Sequence, residues 1–513
     1  MLLVAKILSG ALNGIVGKII EVEVDMSSGL PAFDIVGLPD SAVKEAKERV
    51  RTAIKNSIVQ IPPKRITVNL APADIRKEGS AYDLPIALGI LACMDEISVK
   101  SFDGFFVLGE LSLDGDLRPI TGVLPMVHCA LEQGVKCCVV PFDNAKEASL
   151  IKGISVIAAK NLRELILHFL GKNKIEPFSI SKDILYSRDT EKEFLDFADV
   201  KGQENVKRAL KVAAAGGHNI LLIGPPGAGK TMLSRRLPSI IPNLSFDESV
   251  DVTKVYSVAG LISDKGSLVA SRPFRSPHHT MSYAALTGGG RPPKPGEVSL
   301  AHKGILFLDE MPEFDRKALE ALRQPLEDKQ VIISRSNYTV TYPSDFMLVA
   351  SMNPCPCGFF GEGDRCTCSE KDVNRYLEKI SGPLLDRIDI HVEAVKLNYD
   401  DFEGSQFEKI AESSYDIKNQ VLMVRELQQK RYGKSLLNAN LSSKDIELHC
   451  LLDDECKNLL RRVYDIMGLS ARGYHKILKL SRTIADLSSS QNIRTEHISE
   501  AIQYRTLDRK YWR

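Results

Sequence analysis

The segment GPPGAGKTMLSRR, Gly224 to Arg236, meets the pattern G-x-x-x-x-G-K-[ST] at Gly224, Gly229, Lys230 and Thr231. Glycines here, Gly227 included, let successive backbone N–H groups close around the β- and γ-phosphates of a nucleotide, with a helix N-terminus adding partial positive charge. Lys230 would neutralise the terminal phosphates and the Thr231 hydroxyl would ligate Mg²⁺. Downstream, KGILFLDE ends in Asp309 and Glu310. Asp309 suits Mg²⁺ through its water shell, and Glu310 suits orienting and polarising an attacking water. A third apolar run, FMLVASMNP, ends in Asn353, a short amide able to hydrogen-bond the γ-phosphate or that water. ATP and Mg²⁺ are the expected cofactors.

A second constellation follows at once. NPCPCGFFGEGDRCTCSE places Cys355, Cys357, Cys366 and Cys368 as two C-x-C pairs around a glycine-rich spacer. Four thiolates can enclose a tetrahedral Zn²⁺ as a closed structural site. The spacing is tighter than C-x-x-C, and free loop thiols or a redox pair are the alternatives. The zinc reading is favoured because the loop has no apolar anchor of its own.

These residues need elements to hold them. NILLIG before the phosphate loop, ILFL before Asp309 and MLVASM before Asn353 read as buried parallel strands, whose carboxyl ends are where an open α/β sheet holds its ligands. A basic helical segment follows Lys230. Around this core, residues 1–170 alternate strands with helical stretches as an α/β unit, and 171–195 are charged, aperiodic and linker-like. Residues 196–395 carry the nucleotide motifs, with the cysteine-rich insert at 355–368, and 396–513 show helical three-and-four spacing.

Composition narrows the function classes. The 513 residues are 44% hydrophobic, enough for several domains, and a formal net charge of +1 shows no global basic excess, so a nucleic-acid contact has to be a local patch. The apolar start is broken by Lys6, Gly10, Asn13 and Gly14 and runs into alternating IIEVEVDM, a first strand rather than a signal peptide. No apolar run reaches the about eighteen residues of a membrane span. The ten cysteines suit a reducing cytoplasm.

In order, DVKGQENVKRAL, GPPGAGKT, ILFLDE, VASMNP, LLDRIDI and LSARGYHKILKLSRTIADL resemble the AAA+ ATPases, in the branch of magnesium-chelatase ATPase subunits and MCM-type helicases. RPFRSPHHTMSYAALTGGG, NPCPCG and the C-terminal helices resemble the bacterial YifB/ComM family over essentially the whole chain. The resemblance implies Lys230 and Thr231 as the Walker A pair, Asp309 and Glu310 as Walker B, and Asn353 as sensor 1. It implies Arg387 as an arginine finger reaching a neighbouring subunit's nucleotide and Arg472 as sensor 2, with Arg482 as its rival. A finger acting in trans makes a ring, implied to be a hexamer, part of the mechanism.

The N-terminal block resembles a Lon-protease domain. In that comparison RKEGSAYDLPIALG places Ala81 at the nucleophile, and GELSLDGDLRPITGVLPMV places Leu124 at the catalytic lysine. Ser80 is an adjacent hydroxyl without a lysine partner, so proteolysis is not expected. EDKQVIISRSNYTVTYPSDF alternates as two strands around RSN. In related ATPases a hairpin here lines the pore, which makes Lys329 and Arg335 the expected DNA-phosphate contacts; an ordinary solvated hairpin is the alternative. Arg272, Arg275 and Arg291 lie in a turn-rich insert, where His278 and His279 read as polar loop residues. The resemblance implies a cytoplasmic ATP-driven DNA motor promoting branch migration as incoming DNA is recombined in natural transformation. The rival is a remodelling or chelatase-type ATPase acting on a polypeptide.

Overall fold

The computed structural model describes residues 4–57, 60–179, 195–262, 268–290, 293–335, 338–361, 365–396, 412–433 and 435–512. The chain divides into two compact units. One comprises Met1–Arg188, Phe246–Ala270 and Ser334–Tyr342; the other comprises Asp189–Ser245, Ser271–Ile333 and Pro343–Arg513.

The apolar start folds as β1 (Ala5–Asn13) and β2 (Val16–Ser27), paired antiparallel from Ala5↔Val24 to Asn13↔Val16. Gly14, at φ +66°, takes the first position of the two-residue turn, where a left-handed residue matches the strand twist. With β3 (Ala32–Val36), β4 (Arg65–Ala71), β5 (Phe105–Val107), β6 (Cys137–Pro141) and β7 (Ser155–Ala159) they form a mixed sheet ordered β3-β4-β2-β1-β5-β6-β7. The helix Asp83–Cys93 is buried nearly throughout and begins at Asp83, whose carboxylate receives two bonds from Arg49, at 2.7 and 2.9 Å, and one from the Leu111 N–H at 3.2 Å. An unpaired buried carboxylate is costly, so this fork fixes the helix Ser41–Ser57 against its neighbour.

Ala81 and Leu124 are buried apolar side chains in this unit. The Ser80 hydroxyl donates to Glu110, and the buried Lys77 amine donates to the Pro72 carbonyl. Within the stretch 196–395, residues 246–262 and 268–270 pack with this unit. Val250 and Leu268 share a core with Leu124 and Val127, and the Ser257 hydroxyl meets the buried Glu147 carboxylate, which also accepts the Leu124 N–H at 2.9 Å. Apolar burial in sequence-distant company overrode the chain order.

The other unit holds β8 (Ile220–Ile223), β9 (Phe274–Arg275), β10 (Ile305–Leu308), most of β11 (Gln330–Arg335), β13 (Met347–Met352) and β14 (Ile390–Glu393), whereas β12 (Tyr338–Pro343) falls in the first unit as far as Tyr342. Five of these strands make a parallel sheet ordered β9-β10-β13-β8-β14. Every residue of β8, β10 and β13 is buried, as a sheet covered on both faces requires. The helices Ser414–Tyr432, Asp454–Met467, Ala471–Leu487 and Thr495–Gln503 add Ile417, Leu460, Ile477 and Ile498 to the core that also holds Ile220 and Val349. The expected helical C-terminal part is therefore continuous in packing with the sheet.

Candidate active site at the sheet's carboxyl edge

Register brings three segments together. Ile223 pairs with Met352, and Leu308 with Ala350, so the phosphate loop, Asp309–Glu310 and Asn353 leave adjacent strands at one edge. The strand ending at Asn353 lies between the other two.

Gly224 needs to lack a side chain because a Cβ there would lie 2.3 Å from the Ala394 carbonyl oxygen. Gly227 and Gly229 adopt φ +79° and +82°, turning the loop into the helix Lys230–Ile240. The buried Lys230 amine has three donors and meets three acceptors: the carbonyls of Gly224 at 2.6 Å and Pro225 at 2.9 Å, and the Asn353 Oδ1 at 3.0 Å. Burial pushes the Lys230 pKa down, and the Asp309 and Glu310 carboxylates pull against that shift. The ammonium is thereby held at the loop by groups that phosphate oxygens can replace.

The Thr231 hydroxyl donates to Asp309 at 2.8 Å. Ser351, a residue the sequence reading passed over, donates its hydroxyl to the other Asp309 oxygen and accepts the Glu310 N–H at 3.2 Å. Glu310 is exposed and sits at φ +52°, a conformation costing a side-chain-bearing residue about 1 kcal/mol. The residues present fit ATP with Mg²⁺: a glycine cradle with a lysine, and a hydroxyl beside a carboxylate. Mg²⁺ there would supply charge neutralisation at the phosphates.

The arginines stand elsewhere. The Arg387 guanidinium donates to the carbonyls of Arg323 at 3.1 Å and Pro383 at 2.6 Å and to the Glu327 carboxylate, while Arg472 reaches the other Glu327 oxygen at 3.3 Å. Asn219, just before β8, donates to the Arg387 carbonyl at 2.9 Å and accepts the Leu348 N–H at 2.8 Å, tying the Arg387 backbone to the sheet. Arg482 is buried, bonded to Asp486 at 3.1 Å and to the carbonyls of Gln491 and Ser490. Of the two sensor 2 candidates, Arg472 is the exposed one.

The cysteine quartet forms a cluster in which all four ligand atoms lie within 4.8 Å of one another. Lys329 sits at the foot of the hairpin at φ +57°, paired with Asp345 at 3.4 Å; burial raises that carboxyl's pKa, but Lys329 and Lys303 hold it below the usual range. The Arg335 side chain lies outside the described residues, as does Arg291. Arg272 bonds the carbonyls of Pro242 and Lys303, and Arg275 bonds Glu297, so both serve the fold locally.

Sheet order, phosphate loop and flanking carboxylates define an AAA+ type of P-loop protein. The family described as magnesium chelatase, subunit ChlI, matches residues 196–402; its relatives described as subunit ChlI of Mg-chelatase and as the ChlI C-terminal region match 22–144 and 411–505. Competence protein ComM of Haemophilus influenzae is 43% identical over 510 residues, 98% of each chain. The uncharacterized protein YifB of Escherichia coli K12 is 43% identical over 494 residues, 96% of this chain and 94% of its own. Lon protease 2 of Bacillus subtilis is 26% identical over 197 residues, 33% of this chain and 35% of its own. The chain belongs to the ComM/YifB family of magnesium-chelatase-like AAA+ proteins.

Proposed function

We propose that the protein is a ring-forming ATPase that converts hydrolysis into movement on DNA, promoting branch migration as incoming DNA is recombined. The observation that carries the ATPase is the meeting of Lys230, Thr231, Asp309 and Asn353 at one sheet edge. Lys230 binds the terminal phosphates, Asp309 and Thr231 hold Mg²⁺, Asn353 orients the γ-phosphate, and Glu310 draws the proton of the attacking water. Arg387 reaches the neighbouring subunit's nucleotide as an arginine finger, Arg472 serves as sensor 2, and assembly into a hexameric ring gates hydrolysis. The competence name of the Haemophilus relative supports DNA as the partner. The hairpin carrying Lys329 and Arg335 would meet its phosphates, the four cysteines would hold structural zinc, and the protein would act in the cytoplasm. None of its described helices is long and apolar enough to cross a membrane.

ATP hydrolysis with and without single-stranded and forked DNA, on wild type beside Lys230→Ala, tests this. A Lys230-dependent rate accelerated by DNA is expected. A Lys230-dependent rate indifferent to DNA would transfer the motor to a polypeptide partner.

A further inference from the structure

We propose that Cys355, Cys357, Cys366 and Cys368 hold one zinc ion and that the knuckle so formed sets the phosphate loop by pressing Gly358 against Pro226, so that removing the metal weakens nucleotide binding. The inference rests on the nucleotide reading of the phosphate loop. It goes beyond a structural zinc by giving the metal a task at the ATP site.

The sulfurs already stand close to the required figure. Cys355 lies 3.3 Å from Cys357 and 3.9 Å from Cys366, and Cys357 lies 3.7 Å from Cys366. Zn–S bonds of about 2.3 Å at the corners of a tetrahedron put sulfurs about 3.8 Å apart. All four thiols are free, and four soft thiolates around so small a space select a single thiophilic ion.

Two connections join this cluster to the nucleotide site. Cys355 is buried two residues after Asn353, whose amide holds the Lys230 amine. Gly358, buried at φ +88°, donates its N–H to the Cys355 carbonyl at 3.0 Å. A Cβ on Gly358 would lie 2.5 and 2.8 Å from Cδ and Cγ of Pro226, so the knuckle's backbone rests on the loop's proline. Pro226 adjoins Gly227, whose left-handed turn shapes the cradle. Coordination would lock the turn at Gly358, because Cys355 alone of the four ligands is buried and the other three are only half-buried.

The test uses the full chain, purified with zinc present. Metal content is measured by mass spectrometry, and affinity for a fluorescent ATP analogue is measured on protein as purified, stripped with a chelator under thiol reductant, and restored with zinc. Cys366→Ser/Cys368→Ser removes ligands, and Gly358→Ala keeps all four while filling the contact. We expect about one zinc per chain in wild type and Gly358→Ala and far less in the double variant. Stripping and Gly358→Ala should each weaken nucleotide affinity on the order of tenfold, and zinc should restore the stripped protein. Absence of zinc uptake overturns the proposal. So does undiminished affinity in stripped protein, or a zinc-loaded Gly358→Ala that binds nucleotide like wild type. If zinc-loaded wild type binds no nucleotide, the ATP-site reading has failed and the coupling falls with it, a result told apart by its intact metal content.

Discussion

Arg387 and Arg472 hold the two oxygens of a single carboxylate, that of Glu327. Two guanidinium groups gathered on one counter-ion mark a common position for both, and a charge competing with Glu327 would engage them together. A neighbouring subunit's nucleotide phosphates are such a charge. Arg387→Ala is expected to lower hydrolysis by about a thousandfold, the scale of a lost arginine finger, with nucleotide affinity little changed. Mixing it with Lys230→Ala should recover activity, since each variant supplies what the other lacks. Glu327→Gln frees both arginines and is expected to raise hydrolysis several-fold at low protein concentration, read from rate against concentration. An unchanged concentration dependence would show that Glu327 does not restrain them.

Ser351 orients both acidic residues through one hydroxyl. Ser351→Ala leaves Asp309 with Thr231 alone and the Glu310 N–H without its acceptor. The expected result is a turnover about tenfold lower and a higher half-saturating Mg²⁺ concentration, with a stability loss of about 1 kcal/mol. A magnesium titration of the ATPase rate checks it.

The local parts of the site were legible because their chemistry is local. A phosphate loop requires glycines beside Lys230 and Thr231, and a buried parallel strand announces where Asp309 must emerge. The four cysteines likewise declared themselves by spacing. Glu327 and Ser351 were illegible because an ordinary carboxylate and hydroxyl gain meaning from partners brought in by the fold. The same holds for residues 246–262: Val250 and Ser257 find Leu124 and Glu147 across a long sequence separation, and no periodicity in either segment records it. Lys329 stands out in the sequence as a phosphate contact, while the Asp345 carboxylate that the fold sets 3.4 Å from it does not.

The sensor 2 alternatives separate by stability. Arg482 closes its helix on Asp486, which also accepts two bonds from Arg431 at 2.8 and 2.6 Å. Arg482→Ala removes one partner of a buried ion pair and is expected to cost about 3 kcal/mol, seen as a lower melting temperature. Arg472→Ala removes an exposed side chain and should leave melting unchanged while lowering hydrolysis. The opposite pattern would return the sensor role to Arg482.

Asp83 gives the first unit a defined pH response. Burial pushes its carboxyl up to about 6 from 3.8, even though hydrogen bonds and charge from Arg49 pull it down. A raised pKa means that the folded chain holds the proton more tightly than the unfolded chain does. Between about pH 4 and pH 6 the native state therefore binds more protons, and this group's contribution is present in full at the acid end and lost as pH rises. The shift corresponds to about 3 kcal/mol across that window. Other carboxylates add slopes of their own, so the informative quantity is the difference between wild type and Asp83→Asn. The variant has one acceptor oxygen where Asp83 turns two to Arg49 and Leu111, and should be less stable throughout. Its deficit should shrink as pH is raised from 4 to 6, because only the wild type gives up the proton-linked contribution. Thermal melts at half-unit pH steps measure this, and a deficit that stays constant would show that Asp83 titrates alike in the folded and unfolded chains.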